Sequence, residues 1–256
     1  MPRILLTDEH WLRLKPTLLD CGIYDKPNLR LTIEGILYKL RAGCCWRDVL
    51  PYFGKWNTIY KNFNYWCRDD KLFTAFKIAA KDCDLEWVFI DGSIVSAHQH
   101  ASGAPKKSEF GDHGIGRSVQ GFSTKVHMVV DSMGNPIDFE ITGANVHDVT
   151  VAPMLLEKIP VSEFVIADKG YDSESFRRQI EVRGSISVVP KRKNAKVKDK
   201  SLDWNLYKLR HLVENIFARL KHFRSIATRF DKLKRNYKGM LSLACLFIWL
   251  PLGDSR

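Results

Sequence analysis

Two aspartates of this 256-residue chain each come directly after an apolar run that predicts a buried strand. Asp91 follows residues 87–90 (WVFI), and Asp168 follows residues 164–167 (FVIA). A carboxylate next to such a run is costly to bury unless it is paired or binds a cation. Strand ends are also where open α/β sheets form their binding sites. Each aspartate could equally cap the helix or turn that follows it, so neither decides a function alone.

A third acid, Glu214, lies in a segment whose apolar residues recur at steps of three and four. This spacing predicts one amphipathic helix over residues 203–223. On a neighbouring face of that helix, Tyr207, Arg210, Glu214 and Lys221 line up along one edge. The alternative for Glu214 is an ordinary exposed acid in an intrahelical ion pair.

Together, two strand-end aspartates and a helical glutamate could carry out phosphoryl transfer with two metal ions. Carboxylate oxygens are hard ligands that suit Mg²⁺ or Mn²⁺. Paired ions of this kind activate an attacking oxygen and stabilise a leaving one. The sequence therefore favours two Mg²⁺ or Mn²⁺ ions as cofactors.

The charge distribution indicates a polyanionic partner. The chain has 40 Lys and Arg against 29 Asp and Glu, a formal net charge of +11. Residues 1–90 carry 14 basic and 11 acidic residues, residues 91–190 carry 9 and 13, and residues 191–256 carry 17 and 5. Basic surfaces of this density bind phosphates by releasing condensed counterions. A solvated basic tail is the alternative, and it survives only for KRKNAKVKDK at residues 191–200.

The elements that must position these residues divide at about residue 84. Residues 1–84 read as a small all-helical domain, in which GKWNTIYKNFNYW places aromatic residues at helical spacing. Lys55, Asn57 and Lys61 occupy the polar positions of that stretch. A helix–turn–helix-like module that reads a DNA groove and a plain helical bundle with an aromatic core both fit this pattern, and the two stay open.

Residues 85–256 read as an α/β domain. Its first strand is WVFIDGSIVSA, and two more strands enclose a hairpin in which Gly134 and Asn135 would supply positive φ angles. Helices and strands then alternate, which predicts a mixed sheet. The longest apolar stretch, residues 241–250 if Ser242 is tolerated, is too short for a bilayer, and the N-terminus does not read as a signal peptide. We expect no membrane span and a cytoplasmic location.

Three segments, DGSIVSAH, ADKGYDS and YKLRHLVENIFARLK, resemble the catalytic blocks of bacterial insertion-sequence transposases of the DDE class. The last contains Y-x2-R-x3-E-x6-K in full as Tyr207, Arg210, Glu214 and Lys221. The stretch GCCWRDVLPYFGKWNTIYKNFNYW also looks like the N-terminal region of that family. Only 46 positions separate Asp168 from Glu214 (214 − 168), so the resemblance is to a compact branch without a large insertion domain.

The resemblance implies a ribonuclease-H-like catalytic domain and assigns roles to its residues. Asp91, Asp168 and Glu214 would hold the metals, and Tyr207, Arg210 and Lys221 would contact DNA near the cut. The enzyme would bind the terminal inverted repeats of its element, cleave there and join the 3′-hydroxyls to target DNA. It would act as a homodimer and associate with the nucleoid when bound to DNA. A structure-selective nuclease on the same fold and a catalytically silent DNA-binding repressor are the alternatives.

Overall fold

The computed structural model describes residues 4–103, 113–119, 121–192 and 202–250, and every structural statement below concerns these residues. Most of the basic tract at residues 191–200 lies outside them. The chain forms two compact units. The first consists of Met1–Lys81, Ala97–His113 and Leu220–Arg256, and the second of Asp82–Ser96 and Gly114–Arg219. The predicted functional boundary between residues 84 and 85 stays a prediction.

Helices and strands are numbered in chain order. The helices are α1 (Asp8–Asp20), α2 (Leu29–Ala42), α3 (Trp56–Arg68), α4 (Lys71–Ala79), α5 (Gln99–Ser102), α6 (Asp148–Glu157), α7 (Glu174–Val182), α8 (Trp204–Lys208), α9 (His211–Lys221), α10 (Arg224–Ala227) and α11 (Lys234–Trp249). The strands are β1 (Trp87–Ala97), β2 (Gly116–Ser118), β3 (Gly121–Val130), β4 (Pro136–Gly143), β5 (Phe164–Ala167), β6 (Ile186–Val188) and β7 (Thr228–Arg229).

The first unit is built mainly from helices, as the sequence predicts for residues 1–84. Thr7 caps α1 by accepting a hydrogen bond from the His10 backbone N–H. Helix α3 buries Ile59, Phe63 and Trp66, which confirms that part of its aromatic stripe forms core. Helix α11 approaches α3 so closely that a Cβ at Gly239 would collide with the Cys67 sulfur. None of the described helices is both long and apolar enough to cross a membrane.

The second unit contains a mixed sheet with strand order β2-β3-β1-β5-β6, in which β4 also pairs with β3. The pairs β1/β3, β2/β3 and β3/β4 are antiparallel, whereas β1/β5 and β5/β6 are parallel. The antiparallel strands β1, β3 and β4, followed in the chain by β5 and β6 that run parallel to β1, form the ribonuclease-H-like arrangement, so the predicted fold class is confirmed. One face of the sheet packs on α6 and α7 through a core that includes Val88, Ile90, Val129, Val151, Leu155, Phe176 and Ile180.

The hairpin between β3 and β4 is held by an aspartate. Asp131 Oδ1 accepts hydrogen bonds from the backbone N–H groups of Met133, at 3.0 Å, and Asn135, at 2.7 Å. Gly134 has a φ of +80°, as predicted. The matching prediction for Asn135 was wrong, because Asp70 is the one described non-glycine residue with positive φ. The Asp131 side chain replaces the second left-handed residue as the element that turns the chain.

The predicted single helix over residues 203–223 is divided in two, which corrects the expectation that four signature residues share one helix edge. Helix α8 ends at Lys208 and α9 begins at His211. Between them, the N–H groups of Leu209 and Arg210 donate to carbonyls three residues earlier, at 3.1 Å each. These tighter turns interrupt the α-helical hydrogen-bond pattern at Leu209 and Arg210. Tyr207 consequently lies on α8, whereas Glu214 and Lys221 lie on α9.

Candidate active site

Asp91 lies in the middle of β1 rather than at its end, because the strand continues to Ala97. Its Oδ1 accepts a hydrogen bond from the Gly92 backbone N–H at 2.7 Å, and its Oδ2 accepts one from Arg210 Nη1 at 2.8 Å. The side chain is only 18% exposed. Burial raises the pKa of Asp91 to about 6, although the Gly92 N–H and the Arg210 guanidinium act in the opposite direction.

Asp168 lies beside Asp91 because β1 and β5 are parallel neighbours. Ile90 pairs with Ala167, so the next residue on each strand is an acid. Asp168 Oδ1 accepts a hydrogen bond from the Gly170 backbone N–H at 2.7 Å and caps the short 3-10 helix Lys169–Tyr171. The negative charge of Asp168 contributes to the raised pKa of Asp91. Asp168 therefore caps this 3-10 helix, as predicted, and also lies beside Asp91. We call Asp91, Asp168 and Glu214 the acidic cluster.

Glu214 on α9 is joined to Asp91 through Arg210. One guanidinium nitrogen of Arg210, Nη1, donates to Asp91, and the other, Nη2, donates to Glu214 Oε1. The Glu214 side chain is 55% exposed to solvent, whereas that of Asp91 is 18% exposed. The two-pronged guanidinium supplies the positive charge that a buried carboxylate requires.

The donor chemistry of this cluster fits hard divalent cations. Asp91, Asp168 and Glu214 offer carboxylate oxygens, and Asp91 is only 18% exposed. In the described parts of the chain, however, no three His, Cys, Asp or Glu side chains come together closely enough to hold a metal ion. The residue types fit the predicted Mg²⁺ or Mn²⁺ ions, and Arg210 takes the place of a counter-cation.

A fourth acid, Asp148, contacts β1 from the face opposite Asp91 and was not among the predicted site residues. Asp148 is the first residue of α6, and a Cβ added to Gly92 would lie 2.7 Å from its Oδ1. That oxygen lies 3.2 Å from Lys125 Nζ and 3.3 Å from His127 Nδ1. Burial alone would raise the pKa of Asp148, but His127 and Lys125 lower it below its usual value.

Tyr171 completes the floor of this region. Its side chain is buried, and its hydroxyl has no hydrogen-bond partner among the described residues. Burial raises the pKa of Tyr171 well above its usual value, and the charges of Asp148, Asp91 and Asp168 raise it further. A buried hydroxyl thus lies near three carboxylates. The residue is in the sequence segment ADKGYDS, but nothing in its spacing indicates that its hydroxyl is buried.

Comparison with known families identifies the family to which the chain belongs. A family model described as "Transposase DDE domain" matches residues 83–249. The chain belongs to the DDE transposases. A second family model, described as "Putative transposase of IS4/5 family", matches residues 6–76 of this transposase. The resemblance inferred from the sequence and the predicted enzyme class are therefore confirmed.

Several curated transposases are similar to this DDE transposase over about half of its length. The "Putative transposase for insertion sequence element IS6501" of Brucella ovis is 36% identical over 132 residues, which cover 50% of this chain and 98% of the relative. The IS402 "Putative transposase" of Burkholderia cepacia is 35% identical over 136 residues, which cover 49% of this chain and 62% of the relative. The transposase of element IS1106 of Neisseria meningitidis serogroup B is 31% identical, with 48% and 44% covered.

Two solved structures are also similar to the transposase at 10% sequence identity. One is a piggyBac transposase synaptic complex with hairpin DNA, with a TM-score of 0.49 and 91% of this chain and 70% of that chain covered. The other is a pre-cleavage Mos1 transpososome, with a TM-score of 0.28 and 91% and 82% covered.

The remaining predicted site residues of the transposase are spread over both units. Tyr207 packs edge-to-face on Trp204 within α8, with ring centroids 5.8 Å apart. Lys221 is the exposed last residue of α9, seven positions and about two turns after Glu214. Lys55, Asn57 and Lys61 are exposed, with Lys55 at the N-cap of α3 and the other two in its first half. The DNA contacts assigned to these five residues and to Arg210 stay predictions.

Proposed function

We propose that this DDE transposase binds the terminal inverted repeats of its insertion sequence, cleaves the element ends and joins the 3′-hydroxyls to target DNA. The observation that supports the proposal best is the acidic cluster of the second unit. Asp91 and Asp168 follow paired residues of adjacent parallel strands, and Arg210 joins Glu214 to Asp91. This is the set of acids that phosphoryl transfer with two metal ions requires.

In the proposed reaction, Asp91, Asp168 and Glu214 hold two Mg²⁺ or Mn²⁺ ions. When bound, these ions stabilise the charge that develops on the phosphate and activate the attacking oxygen. The neighbouring N–H groups of Gly92 and Gly170 keep one oxygen of each aspartate fixed. Without metal, Arg210 neutralises Asp91 and Glu214. No covalent bond between enzyme and DNA is needed for either step.

The proposal divides DNA recognition between the two predicted domains. Lys55, Asn57 and Lys61, in the domain of residues 1–84, contact the terminal repeats. Tyr207, Arg210 and Lys221, in the catalytic domain of residues 85–256, contact the strand near the cut. Arg and Lys bind phosphates as a fork and a point charge, and a Tyr ring can stack on a displaced base. Two ends must be held together, so we propose a homodimer on DNA that acts at the bacterial nucleoid.

The test requires the DNA that flanks the coding region, since the inverted repeats lie there. Purified protein with Mg²⁺ or Mn²⁺ is incubated with a labelled duplex that carries one repeat and with a supercoiled target plasmid. We expect cleavage at the repeat boundary and covalent joining to the plasmid. A duplex with the repeat scrambled is the control. Equal cleavage of both duplexes would indicate a structure-selective nuclease, and repeat binding without cleavage in either metal would indicate a repressor.

A further inference from the structure

A cavity of about 390 Å³ lies within the first unit, where the C-terminal part of α2 approaches the start of α10. This volume is within the range of ligand-binding sites. Among the described residues, its lining consists of Leu5, Tyr38, Arg41, Ala42, His222 and Arg224. None of these residues is acidic. We call this cavity the basic pocket.

The two arginines of the basic pocket carry positive charges that no acid compensates. Elsewhere in the first unit, Arg13, Arg30 and Arg68 each contact an aspartate or a glutamate at 2.6 to 3.2 Å. In the part of the chain that the structure describes, the side chains of Arg41 and Arg224 form no ion pair and no hydrogen bond. Two like charges that line one cavity repel each other, and a bound anion removes this repulsion.

Each polar side chain in the lining of the basic pocket can donate a hydrogen bond. Tyr38 offers a hydroxyl, His222 a ring N–H, and Arg41 and Arg224 offer guanidinium groups. Tyr38 and Arg41 are half-buried, whereas His222 and Arg224 are exposed, so a ligand can reach these groups from solvent. Guanidinium groups bind phosphate oxygens through paired N–H donors. The lining therefore fits a phosphate group rather than a cation.

The junction between α2 and α10 fixes the backbone on which the two arginines stand. The Ser225 hydroxyl donates a hydrogen bond to the Lys39 carbonyl at 3.0 Å, and both residues are buried. Gly43 ends α2 with a φ of +68°, and a Cβ added to it would lie 2.8 Å from the Arg224 Cβ. Only glycine permits both the positive φ and this close approach. An anion can therefore bind through side-chain rotation, without rearrangement of the two helices.

We propose that the basic pocket binds one phosphate group of the DNA backbone. Arg41 and Arg224 hold the charged oxygens together, and His222 and the Tyr38 hydroxyl donate to the same phosphate. The inference rests on the proposed function in one respect, since it takes DNA as the source of the phosphate. Arg224 lies three positions after Lys221, so the pocket extends the DNA contact that is predicted for Lys221.

The salt dependence of DNA binding measures how many phosphates the basic pocket neutralises. Phosphate contacts carry no sequence information, so a fluorescein-labelled duplex of arbitrary sequence is titrated with the full-length protein at four or more salt concentrations. The slope of log K against log salt falls by about 0.9 for each phosphate contact that is lost. Because the two arginines share one phosphate, the double substitution Arg41→Gln and Arg224→Gln should reduce the slope by about one. Each single substitution should reduce it by less.

Two results would overturn the proposal, provided that the double variant keeps native circular dichroism. An unchanged slope would mean that the basic pocket binds no phosphate, and a slope reduced by about two would mean that the arginines bind separate phosphates. The matched control is Arg13→Gln with Lys15→Gln, which removes two positive charges from α1 of the same unit. Arg13 is paired with Glu9 at 3.2 Å and Lys15 with Asp25 at 2.8 Å, so this variant should keep the native slope.

Duplexes with and without a 5′-phosphate distinguish an internal phosphate from a strand end. We expect equal affinities for the two duplexes, because the basic pocket binds the backbone. Tighter binding of the phosphorylated duplex that disappears in the double variant would keep the phosphate site and assign it to a terminal phosphate instead.

The same protein samples are assayed for cleavage of inverted-repeat DNA, so that the two proposals can fail separately. Cleavage by the native protein, together with an unchanged slope in the double variant, would refute the basic pocket and leave the transposition proposal in place. A reduced slope in the double variant, without cleavage by the native protein in either metal, would support the pocket and count against the transposition proposal.

Discussion

Arg210 is the residue that joins two acids of the acidic cluster, Asp91 and Glu214. It contacts Asp91, which is 18% exposed, and Glu214, which is 55% exposed, at the same time. The resemblance to the DDE family predicts that Arg210 contacts DNA near the cut. The observed contacts add a second role, because the same guanidinium compensates two carboxylates. Replacing single acids therefore changes the charge balance around Arg210 as well as the donor set.

Glu214→Gln should abolish strand cleavage and leave the binding of end DNA within about twofold of the native value. The substitution keeps size and hydrogen-bonding capacity but removes the charge that a divalent cation needs. Glu214 is 55% exposed, so little stability is lost. Cleavage in Mg²⁺ and Mn²⁺ and a gel-shift titration are the measurements. Turnover in the variant would refute the role of Glu214.

The raised pKa of Asp91 predicts a pH dependence of stability. The folded value is about 6 against an ordinary 3.8, so the native protein holds this proton more tightly than the unfolded chain. The contribution of Asp91 to stability is therefore greatest below about pH 4 and falls as the pH rises to about 6. A shift of two pKa units corresponds to at most about 3 kcal/mol.

The comparison that isolates this effect is urea unfolding of native protein and Asp91→Asn between pH 4 and 7 in the presence of a chelator. The amide does not titrate, so the free energy of unfolding of the native protein should fall relative to the variant across this range. Parallel curves for the two proteins would show that Asp91 titrates at its ordinary pKa.

At the scale of elements, the sequence predicts what periodicity and apolar runs encode. Strand β1 and the position of Asp168 after β5 followed from such runs. The break between α8 and α9 could not be predicted, because the apolar spacing of three and four continues through Leu209. The contact of Asp148 with β1 was also inaccessible, because the missing side chain of Gly92 has meaning only once α6 is known to lie opposite it.

Gly92→Ala should lower the free energy of unfolding by about 1–3 kcal/mol. The new Cβ would lie 2.7 Å from Asp148 Oδ1 and 3.4 Å from Lys125 Cδ, so β1 and α6 must separate or Asp148 must leave its ion pair. Gly103→Ala is the matched control, since the nearest atom to its Cβ would be the Gln99 carbonyl at 3.7 Å. Urea unfolding compares the two variants. If both variants lowered the free energy of unfolding by the same small amount, α6 could move away from β1 without a loss of stability.

At the scale of the whole molecule, the net charge of +11 divides into regions of different sign. Asp91 and Asp168 lie within residues 91–190, which contain 13 acidic and 9 basic residues. The 17 basic residues of positions 191–256 include Arg210 and Lys221 on either side of Glu214. Protein and DNA should therefore associate with a strong dependence on salt.

Lys221→Ala should weaken the binding of end DNA at low salt and reduce the slope of log K against log salt by about one. Lys158→Ala removes the same charge from residues 91–190, where Lys158 is bonded to Glu140 at 2.8 Å, and should leave the slope unchanged. Gel shifts at four or more salt concentrations provide the slopes. A native slope in Lys221→Ala would exclude a phosphate contact by this residue.

The two glycine N–H groups that hold Asp91 and Asp168 have a consequence for the rate of site assembly. Each fixes one Oδ1 to its own main chain, so both carboxylates keep their orientation whether or not a cation is bound. Among the described residues, Glu214 accepts a hydrogen bond from the Arg210 side chain and from no main-chain N–H. The two aspartates are therefore oriented before a cation binds, whereas Glu214 is not. Most of the side-chain conformational entropy lost when the three acids bind a cation would be that of Glu214 and Arg210. Cation binding would then require the movement of two side chains, Glu214 on α9 and Arg210 in the turn before it, on the time scale of rotamer motion rather than of sheet rearrangement.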